Sequence, residues 1–302
     1  MQARDADLPP SLFFDDFFYY VVIVRNTLDG YISSFDRLSV TNGYHPLWFL
    51  VLLAIGAILG TGFWFLVVVH LLVTLLCCVA SAAAHRLLRE EGFGGLPLET
   101  ATVFVFIAAL YVASGGMEVA LAVPLILWSL VALRAWMATP TPARSFGMAL
   151  IASAAILSRL DAALLYLLLG PLVIVRAWMS GEVAALLATA RRPNVLAVAA
   201  GAMPLAAWAI ASIAFTGSAM PVSAIAKQLA PFPAARWDHF APILTDGVPV
   251  SLFGYVVRIL GWAWVIATIG LILRHRRGRP STSLVEVAAM CFAPLHLGSF
   301  GL

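Results

Sequence analysis

Long apolar runs, separated by short polar segments, dominate the chain. A transmembrane helix needs roughly 20 apolar residues to cross about 30 Å of hydrocarbon. Runs of this kind predict membrane-spanning helices at 63–84, 97–113, 119–137, 195–215, 251–273 and from residue 284 onward. The pattern therefore predicts an all-α polytopic membrane protein.

Two further apolar stretches do not fit this rule. Residues 47–60 form a run too short to cross, and Ser158-Arg159-Leu160-Asp161 interrupts residues 146–176. Each half of the interrupted stretch would extend roughly 18–21 Å as a helix. Short or broken helices at membrane depth are tolerated where they line protein or a wet cavity. These stretches therefore indicate a cavity.

The composition excludes several classes of protein. Hydrophobic residues make up 62% of the 302 residues and charged residues only 11%, too few to cover a soluble enzyme. The net charge of +3 is too small to indicate a nucleic-acid partner. Three cysteines, of which Cys77 and Cys78 are adjacent, cannot form a disulfide framework or a cysteine zinc site.

The arginine distribution predicts the topology. Suppose that the N-terminal segment lies outside the cytoplasm and that residues 47–60 return to the outer face without crossing. The cytoplasmic side then holds most of the 18 Lys and Arg residues, which is the arrangement that the positive-inside rule prefers. These are Arg86, Arg89, Arg134, Arg144, Arg176, Arg191, Arg192, Arg274, Arg276, Arg277 and Arg279. Residues 1–62 then form an outer-face segment with interfacial helices, and 63–302 form a transmembrane bundle with an outer loop at 216–250.

The residues at both ends of the chain predict that this sequence is a piece of a longer protein. Asp15 and Asp16 are placed outside, which would require an earlier span to deliver them. The chain also stops inside an apolar stretch at 298–302.

The first chemical candidate is the pair Asp15 and Asp16, which lies among aromatic residues at 13–20. Two adjacent carboxylates at the outer membrane surface cost free energy in a segment whose only role is to be buried, which favours a functional role for them. The alternative is that they cap and favour the start of an interfacial amphipathic helix. On that helix Asp15, Tyr19 and Asn26 share one face, and Arg25 near its end is a further candidate for substrate binding.

Two other outer segments carry polar residues beside apolar runs. In Thr41-Asn42-Gly43-Tyr44-His45-Pro46-Leu47-Trp48, the side chains of Asn42 and His45 could bind a polar ligand. A capped loop with an interfacial Trp is the alternative. Glu118 places one carboxylate at the outer start of a span, where favouring the helix dipole is the alternative.

The remaining candidates are charged residues in the later outer loops. Arg159 and Asp161 lie at the break in 146–176, where an internal ion pair is the alternative to substrate binding. Lys227 is the one lysine of the chain, and it could meet a phosphate or mark the interface as a snorkelling residue. Acids and cations in one outer vestibule suit an acceptor hydroxyl and a lipid-borne phosphate.

Four motifs follow one another along the chain: Asp15-Asp16, Thr-Asn-Gly-Tyr-His-Pro-Leu-Trp at 41–48, Ser-Gly-Gly-Met-Glu at 114–118 and Ser-Arg-Leu-Asp-Ala at 158–162. In this order they resemble membrane glycosyltransferases of the GT-C superfamily, in the bacterial arabinofuranosyltransferase-like and mannosyltransferase-like branch. The resemblance covers residues 13–228. P-loop, Rossmann, nucleophile-elbow and HExxH motifs do not occur in the sequence.

This resemblance implies a GT-C-like transmembrane bundle in the inner or plasma membrane, with its active site on the extracytoplasmic face. The donor would be a polyprenyl-phosphate sugar and the acceptor a glycan or lipid, with inversion at the anomeric carbon. Asp15 or Asp16 would act as catalytic base and Glu118 as the second acid. Arg, Lys or a divalent cation held by Asp15, Asp16 and Glu118 would stabilise the leaving phosphate.

Two other classes of function stay open. A transporter or flippase would also have broken helices, but it should show paired interruptions in two repeated halves, and the sequence shows no such repeat. A non-catalytic membrane scaffold would tolerate the loss of Asp15, Asp16 and Glu118.

Overall fold

The computed structural model describes residues 15–90, 92–113, 115–179, 181 and 183–219, and in this part of the chain all regular structure is α-helical. The helices are α1 (Asp15–Leu28), α2 (Pro46–Leu59), α3 (Phe63–Glu90), α4 (Gly95–Ala113), α5 (Val119–Ala138), α6 (Pro142–Ser158), α7 (Ala162–Met179), α8 (Val183–Thr189) and α9 (Arg192–Thr216).

Three of these helices, α3, α5 and α9, are long and apolar enough to cross a membrane. They contain 28, 20 and 25 residues and coincide with three of the predicted spans. The predicted all-α class and membrane association are confirmed at this level. The runs predicted at 251–273 and from 284 onward lie outside the described residues.

Helix α2 has the short length that the sequence indicates. Its 14 residues extend about 21 Å, less than the hydrocarbon thickness. Pro46 occupies the first turn, where its missing N–H costs nothing. Gly60 ends the helix with a φ of +69°, a conformation that glycine adopts without steric cost.

The break between α6 and α7 is confirmed at 159–161. The predicted lengths of both halves were too short, because α6 contains 17 residues and extends about 26 Å, and α7 contains 18 residues and extends about 27 Å. The Thr141 side chain accepts a hydrogen bond from the Arg144 N–H, so the helix begins at Pro142 and includes polar residues ahead of the apolar run.

The described helices belong to two compact units. One unit includes α1–α6, α9 and nearly all of α8, and the other includes α7 from residue 163 onward. Helices α1 and α2 thus belong to the same unit as α3–α6. The division of the chain at residue 62 stays a prediction.

The first unit has a core where α1 and α2 pack on α3. Its fully buried side chains include Phe17 and Ile23 from α1, Trp48 from α2, and Phe65 and Val69 from α3. Burial of such side chains contributes about 1.5–3 kcal/mol each in a soluble fold. This core holds α1 and the start of α2 at the same end of the unit, beside the segment that leads into α5.

Candidate functional site

A polar cluster surrounds the carboxylate of Glu118, at the start of α5. The side chain of Glu118 is only 5% exposed. Its neighbours come from three other segments, namely Tyr20 of α1, His45 before α2 and Arg159 after α6. A buried carboxylate is stable only when donors or cations surround it. The fold supplies both kinds of partner.

Tyr20 connects α1 to this cluster. Its hydroxyl donates to Glu118 Oε2 at 3.5 Å, a long hydrogen bond, and accepts one from the backbone N–H of His45 at 3.1 Å. Burial raises the pKa of the Tyr20 hydroxyl, and the nearby Glu118 charge raises it further. The hydroxyl therefore stays protonated and remains a donor.

His45 is held in one tautomer. Its Nδ1 accepts a hydrogen bond from the Leu160 N–H at 3.2 Å, so this nitrogen carries no proton. The proton of the neutral ring is then on Nε2, which lies 3.5 Å from Glu118 Oε1. His45 thereby connects the 159–161 turn to the start of α5.

Arg159 lies between the two carboxylates of the cluster. Its Nε donates to both oxygens of Asp161 at 2.9 and 3.0 Å, and its Nη1 lies 3.5 Å from Glu118 Oε1. The Arg159 side chain is 13% exposed, whereas that of Asp161 is 26% exposed. The ion pair expected as an alternative at this break is therefore present, and it is part of a larger cluster.

Local structure positions the segment that carries Glu118. The indole N–H of the fully buried Trp48 donates to the Gly116 carbonyl at 3.1 Å, which joins α2 to the turn before α5. Gly116 has a φ of +76°, in the region that favours glycine. Glu118 occupies the N-cap position of α5, yet its side chain makes no capping hydrogen bond. The carboxylate is directed to the cluster instead.

The adjacent aspartates lie at the start of α1, where Asp16 is exposed. Asp16 and Tyr20 are four residues apart and share a face of the helix. Asp15 shares the other face with Tyr19, whose ring stacks on Phe35 with centroids 4.8 Å apart. The side chain of Asp15 lies outside the described part of the structure.

Three other candidates lie apart from the cluster or outside the described residues. Arg25 is exposed near the end of α1, and its Nε donates to Thr61 Oγ1 at 3.3 Å. The amide nitrogen of the buried Asn42 donates to Ser212 Oγ at 2.6 Å and to Thr216 Oγ1 at 3.1 Å. These two bonds tie the loop before α2 to the end of α9. Lys227 lies outside the described residues.

Sequence reasoning gave Tyr20 no role of its own. The signal that could have found it is its spacing, since it follows Asp16 by one helical turn. Ser212 carried no signal, because a single serine in an apolar helix predicts no particular partner.

Among the described residues, no group of three or more His, Cys, Asp and Glu side chains is arranged to hold a metal ion. The divalent cation at Asp15, Asp16 and Glu118 stays a prediction, because the side chain of Asp15 lies outside the described part of the structure. The guanidinium of Arg159 bridges Glu118 and Asp161.

Comparison with known proteins returns no family model, no curated protein and no solved structure that matches this chain.

Proposed function

We propose that the protein is a membrane glycosyltransferase that moves a sugar from a polyprenyl-phosphate donor to an extracytoplasmic glycan or lipid acceptor. The observation that carries the proposal is the cluster of Tyr20, His45, Glu118, Arg159 and Asp161. It is assembled from the four segments whose motifs resemble the GT-C superfamily.

The cluster supports an active site on physical grounds. Desolvating charged groups costs several kcal/mol per ion, and an apolar replacement of a buried ion pair is often neutral or stabilising. A helical bundle therefore gains little stability from such a cluster. Buried titratable groups brought together from distant segments are typical of functional sites.

Asp16 is the better of the two candidates for the catalytic base. It is exposed, so an acceptor hydroxyl can reach it, and it lies one helical turn before Tyr20 on the face of α1 that meets the cluster. Asp15 lies on the face with Tyr19 and Asn26, which contact the loop at 34–41. Glu118 is nearly buried and already surrounded by donors, which makes it a poor acceptor of a substrate proton.

The reaction follows from these positions. The Asp16 carboxylate takes the proton of the acceptor hydroxyl while the hydroxyl oxygen forms a bond to the anomeric carbon. The bond between that carbon and the phosphate oxygen breaks, and the polyprenyl phosphate leaves with the electron pair. A single displacement of this kind inverts the anomeric centre. Cations near the phosphate stabilise its developing charge.

Arg25 is poorly placed to stabilise that charge. It lies nine residues after Asp16, which is about 13 Å along the axis of α1. Lys227 stays the candidate that the sequence gives for the phosphate contact, and it lies outside the described residues. Lys227→Gln should then weaken donor turnover strongly, and Lys227→Arg should recover only part of it, because an ammonium and a planar guanidinium bind phosphate differently. Equal kinetics in all three proteins would contradict this role.

We further propose a multi-pass topology in the inner or plasma membrane, with the cluster on the extracytoplasmic side. Leu38 is 91% exposed in the loop between α1 and α2, and Thr141 is exposed before α6. A cysteine at position 38 should react with an impermeant thiol reagent in intact cells, and a cysteine at position 141 should not. The reverse labelling pattern would contradict the topology.

Sugar transfer is the direct test of the proposed function. Membranes that contain the full protein are supplied with a panel of radiolabelled polyprenyl-phosphate sugars, and transfer to endogenous glycan or lipid is measured. Asp16→Asn should lower turnover by about 10²-fold or more, as loss of a general base typically does. Asp15→Asn should have a smaller effect, and Asp29→Asn is the control, because Asp29 pairs with Arg37 in an exposed loop. Equal turnover of Asp16→Asn and the wild type would contradict the role of Asp16.

A further inference from the structure

The accessible edge of the Glu118 cluster consists of two side chains. His45 and Asp161 are each 26% exposed, whereas Glu118 is 5% and Arg159 is 13% exposed. A ligand that approaches the cluster therefore meets the imidazole and the Asp161 carboxylate first. The guanidinium lies behind them.

The charge of the cluster limits what this edge can bind. The two carboxylates and the one guanidinium of the cluster leave one net negative charge. Arg159 is held by both carboxylates and acts as their internal counter-ion. A phosphate group would be repelled from an edge of this sign.

Carboxylates at a partly exposed, partly desolvated edge are good acceptors for neutral hydroxyl groups. A hydrogen bond to a charged acceptor is about twice as strong as one between neutral groups. Asp161 is also held in one orientation, since Arg159 Nε binds both of its oxygens. An oriented acceptor of this kind can recognise the direction of a sugar hydroxyl.

On the basis of the proposed function, we infer that the edge formed by His45 and Asp161 recognises the hydroxyl groups of a sugar. Arg159 is then an internal counter-ion with no role in binding the donor phosphate. The hydroxyls belong either to the transferred sugar or to the acceptor glycan. The polyprenyl phosphate binds elsewhere in the site.

The test compares binding of sugar with binding of phosphate. For the full protein in membranes, the KM of the donor, the KM of the acceptor and the inhibition constant of a polyprenyl phosphate without sugar are measured. Asp161→Asn removes the charge, and Asp161→Glu keeps the charge but moves the oxygens by one methylene. Asp29→Asn is the matched control, because it also removes a carboxylate from an aspartate–arginine pair.

Both Asp161 variants should raise one KM about tenfold or more, which is the range for losing a hydrogen bond to a charged group. The inhibition constant of polyprenyl phosphate should stay within about twofold. A rise in the donor KM places the transferred sugar at this edge, and a rise in the acceptor KM places the acceptor there. Asp161→Glu maintains the test if the uncharged variant fails to accumulate in the membrane.

Other results overturn the inference. An inhibition constant that changes as much as the KM values would show that phosphate binds at the cluster. Unchanged KM values in both variants, with an active wild type, would refute hydroxyl recognition and leave the glycosyltransferase proposal standing. A wild type that transfers no sugar from any donor would refute the proposed function, and this inference with it.

Discussion

Helices α6 and α9 approach each other closely. We therefore expect the same substitution, glycine to alanine, to change the free energy of unfolding in opposite directions at two positions. A Cβ added at Gly201 of α9 would lie 2.6 Å from the Phe146 carbonyl oxygen and 2.9 Å from the Leu150 nitrogen, and also 2.8 Å from the Ala149 Cβ. Two of these atoms are backbone, which cannot rotate away. Gly147 of α6 is the control, because a Cβ there meets no atom within 4 Å.

The magnitudes follow from these distances. Weak C–H···O contacts have carbon–oxygen distances of about 3.3–3.6 Å, so Gly201→Ala must separate the two helices by roughly 0.5–1 Å. Overpacking of this kind costs about 1–3 kcal/mol, partly offset by about 1 kcal/mol of helix propensity. We expect Gly201→Ala to destabilise the protein by up to about 2 kcal/mol. Gly147→Ala should stabilise it by about 0.5–1 kcal/mol.

The assay is unfolding of the purified protein in one detergent, followed by circular dichroism at a fixed heating rate. The midpoint should fall for Gly201→Ala and rise or stay constant for Gly147→Ala. Equal midpoints for the two variants would show that α6 and α9 do not approach each other at Gly201, and the packing argument would then be refuted.

Three further predictions concern the site and its supports. Tyr20→Phe leaves the His45 N–H without its acceptor and removes a donor from Glu118, so it should lower the free energy of unfolding by about 1–3 kcal/mol in the same assay. Tyr19→Phe should lower it by about 0.5 kcal/mol or less, because the hydroxyl contact of Tyr19 with Thr41 is 3.4 Å long. Equal effects of the two variants would contradict the role of Tyr20. Asn42→Ala should lower the free energy of unfolding by about 1–3 kcal/mol. The double variant with Ser212→Ala should lose less than the sum of the two single losses, since both substitutions remove the same hydrogen bond. Strictly additive losses would argue against this contact. The backbone N–H groups of Ser39 and Leu38 lower the pKa of Asp36 from its usual 3.8. The carboxylate therefore stabilises this turn fully above pH 3.8, and the stabilisation is lost as pH falls through the lowered pKa. Protection of the Leu38 and Ser39 amides from hydrogen exchange should decline in acid in the wild type, whereas in Asp36→Asn it should be low at every pH.

Local sequence alone determined several elements of the fold. Helix α2 and the break at 159–161 were predicted from the length of apolar runs and from the polar residues that interrupt them. These are properties of neighbouring residues, so they need no knowledge of tertiary contacts. The start of α6 was also encoded locally, since Thr141 caps the helix and Pro142 opens it, but hydropathy alone placed this start too late.

The partners of the polar residues depended on tertiary structure. Tyr20 meets Glu118 across 98 positions and Asn42 meets Ser212 across 170, separations at which sequence periodicity carries no information. Asn42 and Arg159 were both candidates for substrate binding, and an ion pair of Arg159 with Asp161 was the alternative. The bonds from Asn42 to α9 and the contact of Arg159 with Glu118 were not predicted. These contacts arise because a polar side chain buried in an apolar bundle must bind whichever polar groups the packing of the helices brings within reach.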